Sequence, residues 1–333
     1  MKIENLFLLL FVFIQFSCKS QTQKINGLSF VASRDSITEI HVNPAKNTNA
    51  NYVSLMPFGS LSTINSPEIW FNANKQWFGE TAKGVSQYAS AFKKVGIKIM
   101  LKPQLWVRRG EFTGFIEMKT EEDWLALEKS YEDFILYHAE NAKNINAEIF
   151  CIGTELEKFV LQRPKYWKNL IAKIKYIYKG KLTYAANWDE YKRLSFWNEL
   201  DFIGVDAYFP LSDEQSPSIA SLEKGWKIHK DEIKRIHQKF NKPILFTEFG
   251  YRSVDFFAKK PWLIDRMEGG VNLQNQVNGL QAIHNQFWKE DWFAGGFIWK
   301  WFHVHNRVGG EKDNRFTPQN KPSEAVLKRL YGS

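Results

Sequence analysis

The sequence predicts a single (β/α)8 barrel, and three observations predict it. Short apolar strands alternate with amphipathic helices, an order that makes the strands parallel, because parallel neighbours need a crossover between them. No glycine-rich phosphate loop follows the first strand: "NGLSFVASRDS" stands there, where the rival open doubly wound sheet usually carries such a loop. Eight strand candidates fall within residues 24–333, enough chain for one barrel of about 250 residues. No Pro/Ser linker, low-complexity tract or break in composition divides that stretch, so it reads as one catalytic-sized domain.

The strands are placed at 27–32, 52–56, 97–101, 149–153, 182–185, 202–205, 244–247 and 296–299, each a short apolar run. Helices at 85–95, 124–142, 167–178, 222–240 and 273–287 supply crossovers. In "WLALEKSYEDFILYHA" apolar residues return every three or four positions, as one buried helix face requires.

A barrel makes a demand on these strands: functional side chains sit at their C-terminal ends, where eight loops converge. The third strand runs into "MLKPQLW", with Lys102, Gln104 and Trp106. The fourth, in "EIFCIGTELEKF", ends on Glu155. The fifth, in "LTYAANWDEY", ends on Asn187, Trp188 and Asp189. The sixth, in "FIGVDAYFPLS", offers Asp206 and Tyr208; the seventh delivers Glu248; the eighth, in "GGFIWKWF", offers Trp299 and Trp301. Two acids, amide and phenol donors and several Trp would therefore ring one mouth.

Two carboxylates facing each other across a cleft are what glycosidic cleavage needs. One starts protonated and assists the leaving oxygen; the other is ionised. Strands four and seven lie on roughly opposite sides of an eight-strand ring, so Glu155 and Glu248 can approach one bond from either side. Blander readings stand beside each residue. Glu157 competes with Glu155 as the exposed acid, Asp206 could cap a turn, Asp189 could be a solvated loop acid, and Trp299 or Trp301 could be core. The joint pattern outweighs its members because every polar group falls at the same end of its strand.

Composition narrows the partners. Aromatic residues make up 16% of the chain, with 13 Trp, and Trp stacks on the apolar faces of sugars as readily as it fills a core. The net charge of +9 is scattered, with basic runs no longer than two, as in Lys93-Lys94; nucleic-acid binding calls for a stripe. No Cys or His pairs stand at metal-ligand spacing, so a structural zinc site is not expected. Cys151, in an apolar stretch, reads as a small core residue rather than a nucleophile.

Residues 1–17, "MKIENLFLLLFVFIQFS", read as an export signal, since their apolar run is too short to span a bilayer stably. Cys18 follows Phe16-Ser17 and resembles a lipoprotein cleavage site, although Gln15 stands where such sites usually carry Leu. The expectation is a cell-envelope lipoprotein, periplasmic or at the outer-membrane surface, lipidated at Cys18 and touching membrane only through that anchor. Ordinary secretion with cleavage nearby is the alternative.

The stretches "IGTEL" and "FTEFGYRS", with "LKPQLW", "GVDAYFPL" and "IWKW", resemble glycoside hydrolase family 113, retaining β-mannan hydrolases of clan A. The resemblance runs from "INGLSF" to "NKPSEAVLKRL". It implies Glu155 as general acid/base, Glu248 as nucleophile, Tyr208 as a hydrogen-bond donor to the nucleophile and Trp299 as the floor of the reactive subsite. The expected sugar contacts are Lys102, Trp106, Asn187, Trp188 and Asp206 along with these two. The implied substrate is a β-linked polysaccharide or oligosaccharide, and no cofactor is implied. One departure is Thr154, where clan members commonly carry an Asn that binds the sugar 2-hydroxyl; Asn187 is the candidate replacement. A non-catalytic glycan-binding lipoprotein on the same barrel, or a clan A hydrolase for another β-linked glycan, are the alternatives.

Overall fold

The computed structural model describes residues 23–73, 76–263 and 270–333; residues 1–17, read above as an export signal, and Cys18 lie outside them. The strands are β1 (Ile25–Phe30), β2 (Tyr52–Leu55), β3 (Phe58–Leu61), β4 (Lys98–Leu101), β5 (Gln104–Val107), β6 (Ile149–Thr154), β7 (Lys181–Asn187), β8 (Ile203–Asp206), β9 (Ile244–Phe249) and β10 (Phe293–Trp301). Eight of them close into a parallel ring in the order β1-β10-β9-β8-β7-β6-β4-β2. Each strand placed from the sequence is in that ring. The remaining pair, β3 and β5, forms a separate two-stranded parallel ribbon that continues the chain beyond β2 and β4.

The helices are α1 (Glu39–Lys46), α2 (Ala82–Lys94), α3 (Glu121–Asn144), α4 (Glu157–Gln162), α5 (Pro164–Ile177), α6 (Ile219–Phe240), α7 (Leu273–Phe287) and α8 (Pro322–Tyr331). Four of the five predicted helices start late by the same margin: 85 against 82, 124 against 121, 167 against 164, 222 against 219. The physical reason is capping. Thr81, Thr120 and Ser218 accept the backbone N–H of Gly84, Asp123 and Ser221, each at 3.1 Å, and Pro164 opens α5 where its missing N–H costs nothing. The first turn is polar, so apolar periodicity begins one turn too late. Helix α1 escaped the pattern because Pro44 lies inside it, and between β7 and β8 a 3-10 turn, Phe196–Glu199, replaces a helix.

Period-two alternation sorts the barrel strands into two faces. Outward residues such as Leu28, Val53, Ile99, Ile152, Val205 and Phe246 pack under the helices in the main core. Inward, Ile25, Met100, Ile149, Leu245 and Phe297 form a separate plug at the N-terminal end of the ring. Gly27 makes room for it: a Cβ there would sit 2.3 Å from the Phe297 ring. Two residues further along the same strands stand Lys102, Cys151 and Thr247, all wholly buried. The interior thus changes from apolar to polar toward the end where the loops gather.

Candidate active site

That polar end is built from neighbouring strand tips. Asn187 of β7 is the register partner of Asp206 of β8, and Asp206 is the partner of Glu248 of β9. Strict alternation would send Glu248 outward with Phe246. The pairing of β8 with β9 slips between Val205 and Asp206, so Phe246 and Glu248 face consecutive residues of β8. This bulge turns both Thr247 and Glu248 toward the interior. A second slip, between β6 and β7 at Cys151–Thr154, precedes Glu155, whose backbone lies in the left-handed region at φ 50°. Its N–H donates to Ala185 O at 2.8 Å and its C=O accepts from Thr113 Oγ1 at 3.0 Å.

Glu248 is the hub. Its Oε1 accepts from Lys102 Nζ at 2.5 Å and Gln104 Nε2 at 2.9 Å, and its Oε2 accepts from the Tyr208 hydroxyl at 2.9 Å. Lys102 also donates to both oxygens of Asp206 at 3.1 Å, and Thr247 Oγ1 donates to Asp206 Oδ1 at 2.7 Å. Burial works to discharge Lys102, but the carboxylates of Asp206 and Glu248 outweigh it and raise its pKa. Burial, reinforced by Glu248, pushes Asp206 up to about 7 despite Lys102 and Thr247. Burial and the nearby carboxylates hold the Tyr208 phenol protonated, its pKa well above the usual value.

Glu155 has the opposite surroundings. Its surface is partly open, as a group that must meet a leaving oxygen requires. Protein nevertheless packs round the carboxyl closely. Burial, then the charges of Asp206 and Glu248, raise its pKa well above the carboxylate range, with Lys102 opposing and Glu190 adding to the rise. Glu157 does not compete: it pairs with Arg193, and its neighbour Lys158 pairs with Glu117 at 2.5 Å. One carboxyl is therefore arranged to hold a proton, while three donors converge on the other.

The expected sugar contacts divide by position. Trp299 stands two residues beyond Phe297 on the inward face and is half-buried. Its carbonyl packs on Gly250, where a Cβ would come within 2.6 Å. Trp188 stacks on Trp262 with ring centres 5.6 Å apart and planes 11° from parallel. Trp106 is 55% exposed. Asn187 Oδ1 accepts the Trp188 N–H at 2.8 Å. Lys102 and Asp206, expected at the sugar surface, are instead buried at 0% and 1% exposure behind Glu248 and bonded to each other. Trp301 is core, at 0% exposure, and Asp189 is a surface acid within 3.7 Å of Arg193. Burial pushes the Cys151 thiol up to about 11, so it stays protonated and inert. A surface indentation of about 630 Å³ between α3 and α5 is lined mainly by charged and polar residues and contains none of these groups.

The family model for Glycoside Hydrolase Family 113 matches residues 31–321. The chain belongs to that family. Its fold is similar to that of the GH113 β-mannanase AaManA from Alicyclobacillus acidocaldarius, with a TM-score of 0.81 at 24% identity over 93% of this chain and 97% of that one. It is similar also to a GH113 β-1,4-mannanase, with a TM-score of 0.79 at 23% identity over 93% and 99% of the two chains. A Ruminococcus gnavus β-glucuronidase shares the fold more distantly, with a TM-score of 0.57 at 16% identity, covering 92% of this chain and 49% of that one. No curated protein matches the chain. The protein is a glycoside hydrolase.

In this family 113 hydrolase, sequence reasoning missed a support beneath the acid. Glu190, at 0% exposure, accepts the Tyr184 hydroxyl at 2.7 Å and the Asn187 N–H at 2.9 Å. The Tyr184 oxygen in turn accepts the Leu156 N–H at 2.6 Å, so the peptide that follows Glu155 is gripped from below. Burial pushes Glu190 up to about 8 against these hydrogen bonds, which favour its charged form. The signal available in the sequence was weak, because Glu190 lies in the polar run "NWDEYKR", where a solvated acid is the ordinary reading.

Proposed function

We propose that the enzyme hydrolyses β-1,4-mannosidic bonds in mannan-type polysaccharide or oligosaccharide by double displacement with retention. A Glu248 carboxylate oxygen attacks the anomeric carbon while the bond to the leaving oxygen breaks and Glu155 supplies its proton. Glu155 then removes a proton from water, whose oxygen displaces Glu248 and leaves the sugar with its original configuration. The observation that carries this reading is the contrast between the two acids: burial and like charge keep Glu155 protonated, whereas Lys102, Gln104 and Tyr208 all donate to Glu248, and an ionised carboxylate is the form that accepts all three. Mannan as substrate is supported by family membership and by solved neighbours described as β-mannanases. Trp299 and Trp188 are assigned to stacking on sugar rings. Asn187, whose side-chain NH2 has no hydrogen bond among the described residues, is assigned the 2-hydroxyl contact that Thr154 cannot make.

Incubation with a panel of soluble mannan, glucomannan, xylan and β-glucan, read by reducing-end release, tests the substrate; faster release from another glycan than from mannan would overturn it. Proton NMR of the first product should show the retained anomer. Glu248→Gln should abolish turnover with the fold intact, and substantial residual hydrolysis would remove it as nucleophile. Export and lipid attachment at Cys18 belong to the same proposal, and labelled palmitate should enter the wild-type chain but not Cys18→Ala.

A further inference from the structure

We propose that Trp70 and Trp106 form a second sugar-binding surface, an aromatic platform on the β3–β5 ribbon that holds a β-linked glycan chain beyond the catalytic subsite. The proposal rests on the glycanase reading above and extends it to a residue, Trp70, that the catalytic site does not use.

The ribbon's register assembles the platform. Ser60 of β3 is the partner of Trp106 of β5. On its other side Ser60 forms an antiparallel bridge with Trp70, through reciprocal backbone hydrogen bonds of 2.8 and 2.9 Å. Residues in register share a face, so Trp70, Ser60 and Trp106 stand in a row. Alternate residues Gly59, Leu61, Leu105 and Val107 are buried; a Cβ on Gly59 would meet Ile69 and Phe134 within 3 Å. The row faces away from that packing, with Trp70 at 57% and Trp106 at 55% exposure.

Dimensions fit an extended glycan. Two strand spacings separate the indoles by about 10 Å, roughly the repeat of two rings in an extended β-1,4-linked chain. Ser60, small and polar between them, leaves a shallow trough. Other exposed indoles have partners: Arg34 lies 5.6 Å over the Trp77 ring, and Trp262 stacks on Trp188. Among the described residues neither Trp70 nor Trp106 has a ring or cation over it. The row is also continuous with the active site. Gln104, which donates to Glu248, is on the Trp106 face of the same strand, about 7 Å away along β5. A neutral polymer leaving the catalytic subsite on that side passes onto the indoles, whose apolar faces suit the C–H faces of pyranose rings.

The test uses the full chain carrying Glu248→Gln, run by affinity electrophoresis through gels containing soluble mannan, glucomannan, xylan or hydroxyethylcellulose. Trp70→Ala and Trp106→Ala should each weaken retardation about tenfold, corresponding to about 1.4 kcal/mol. In the active enzyme, Trp70→Ala should lower kcat/KM on polymer at least about fivefold more than on a short aryl glycoside. Retardation equal to the parent in both variants, or equal losses on polymer and short substrate, would overturn the platform. If xylan or hydroxyethylcellulose retards the chain in a Trp70-dependent way but mannan does not, the substrate assignment fails and the platform stands. If no glycan retards it, or if Trp70→Ala alters the oligomeric state by light scattering, the face is not a sugar platform.

Discussion

Replacing Lys102 with Met tests how the centre is held together. Met keeps most of the buried stem and removes the charge, which lies 2.5 Å from Glu248 Oε1 and 3.1 Å from both Asp206 oxygens at 0% exposure. The variant leaves two neighbouring carboxylates without their cation. Removing one partner from such a buried cluster costs about 3–5 kcal/mol. The loss should depend on pH, and its sign follows from Asp206. Its folded pKa is about 7, above the ordinary value of 3.8, so its contribution to stability is lost as pH rises through that window. Without Lys102 the window extends to higher pH, at about 1.4 kcal/mol per unit of further rise. Urea unfolding of Lys102→Met at pH 5.5 and 8.5 should therefore show the larger deficit at pH 8.5, and kcat should fall at both. A deficit under about 1 kcal/mol that is equal at the two pH values would refute the reasoning.

Further perturbations probe the remaining parts. Glu155→Ala should slow glycosides with poor leaving groups far more than activated aryl glycosides; equal losses would argue against proton donation. In the wild type the alkaline limb of kcat/KM should lie above the ordinary carboxyl range, because the proton on Glu155 is held by burial and neighbouring carboxylates, and the limb should vanish in that variant. Glu190→Gln removes a group whose folded pKa of about 8 exceeds the usual 4.5, so wild-type stability should fall relative to the variant as pH rises from 5 to 9; parallel Tm curves would show that Glu190 stays charged throughout. Gly250→Ala forces a Cβ to within 2.6 Å of Trp299 O, and overpacking of this kind costs roughly 1–3 kcal/mol. Its kcat should drop through displacement of Trp299, and a fully active Gly250→Ala would show that the contact yields freely.

The chemistry of the site accounts for its place in the barrel. The plug of Ile25, Met100, Ile149, Leu245 and Phe297 fills one end of the ring, and the polar groups stand toward the other. Charge that would be intolerable alone in such an interior is admitted as a set: Lys102 against Asp206 and Glu248, each with further hydrogen bonds. The same two carboxylates raise the proton affinity of Glu155, and Lys102 opposes that rise.

Sequence alone determined the ring and the end that carries the chemistry. Short apolar runs alternating with amphipathic stretches placed the eight strands, because local periodicity reports which face is buried, and the polar residues fell at one end of each. Glu155 and Glu248 were singled out on that ground. Only the tertiary structure decided which way they point and what surrounds them. Alternation along β9 sends Glu248 outward, and a slip in its pairing with β8 brings it in. Lys102 looked like a sugar contact until partners 104 and 146 positions away enclosed it. Nothing in the sequence marked Glu190, which Tyr184 and the Asn187 N–H hold in the folded chain. Pattern is a property of neighbours along the chain, whereas the burial and pairing of a charge depend on residues that only the closed ring brings together.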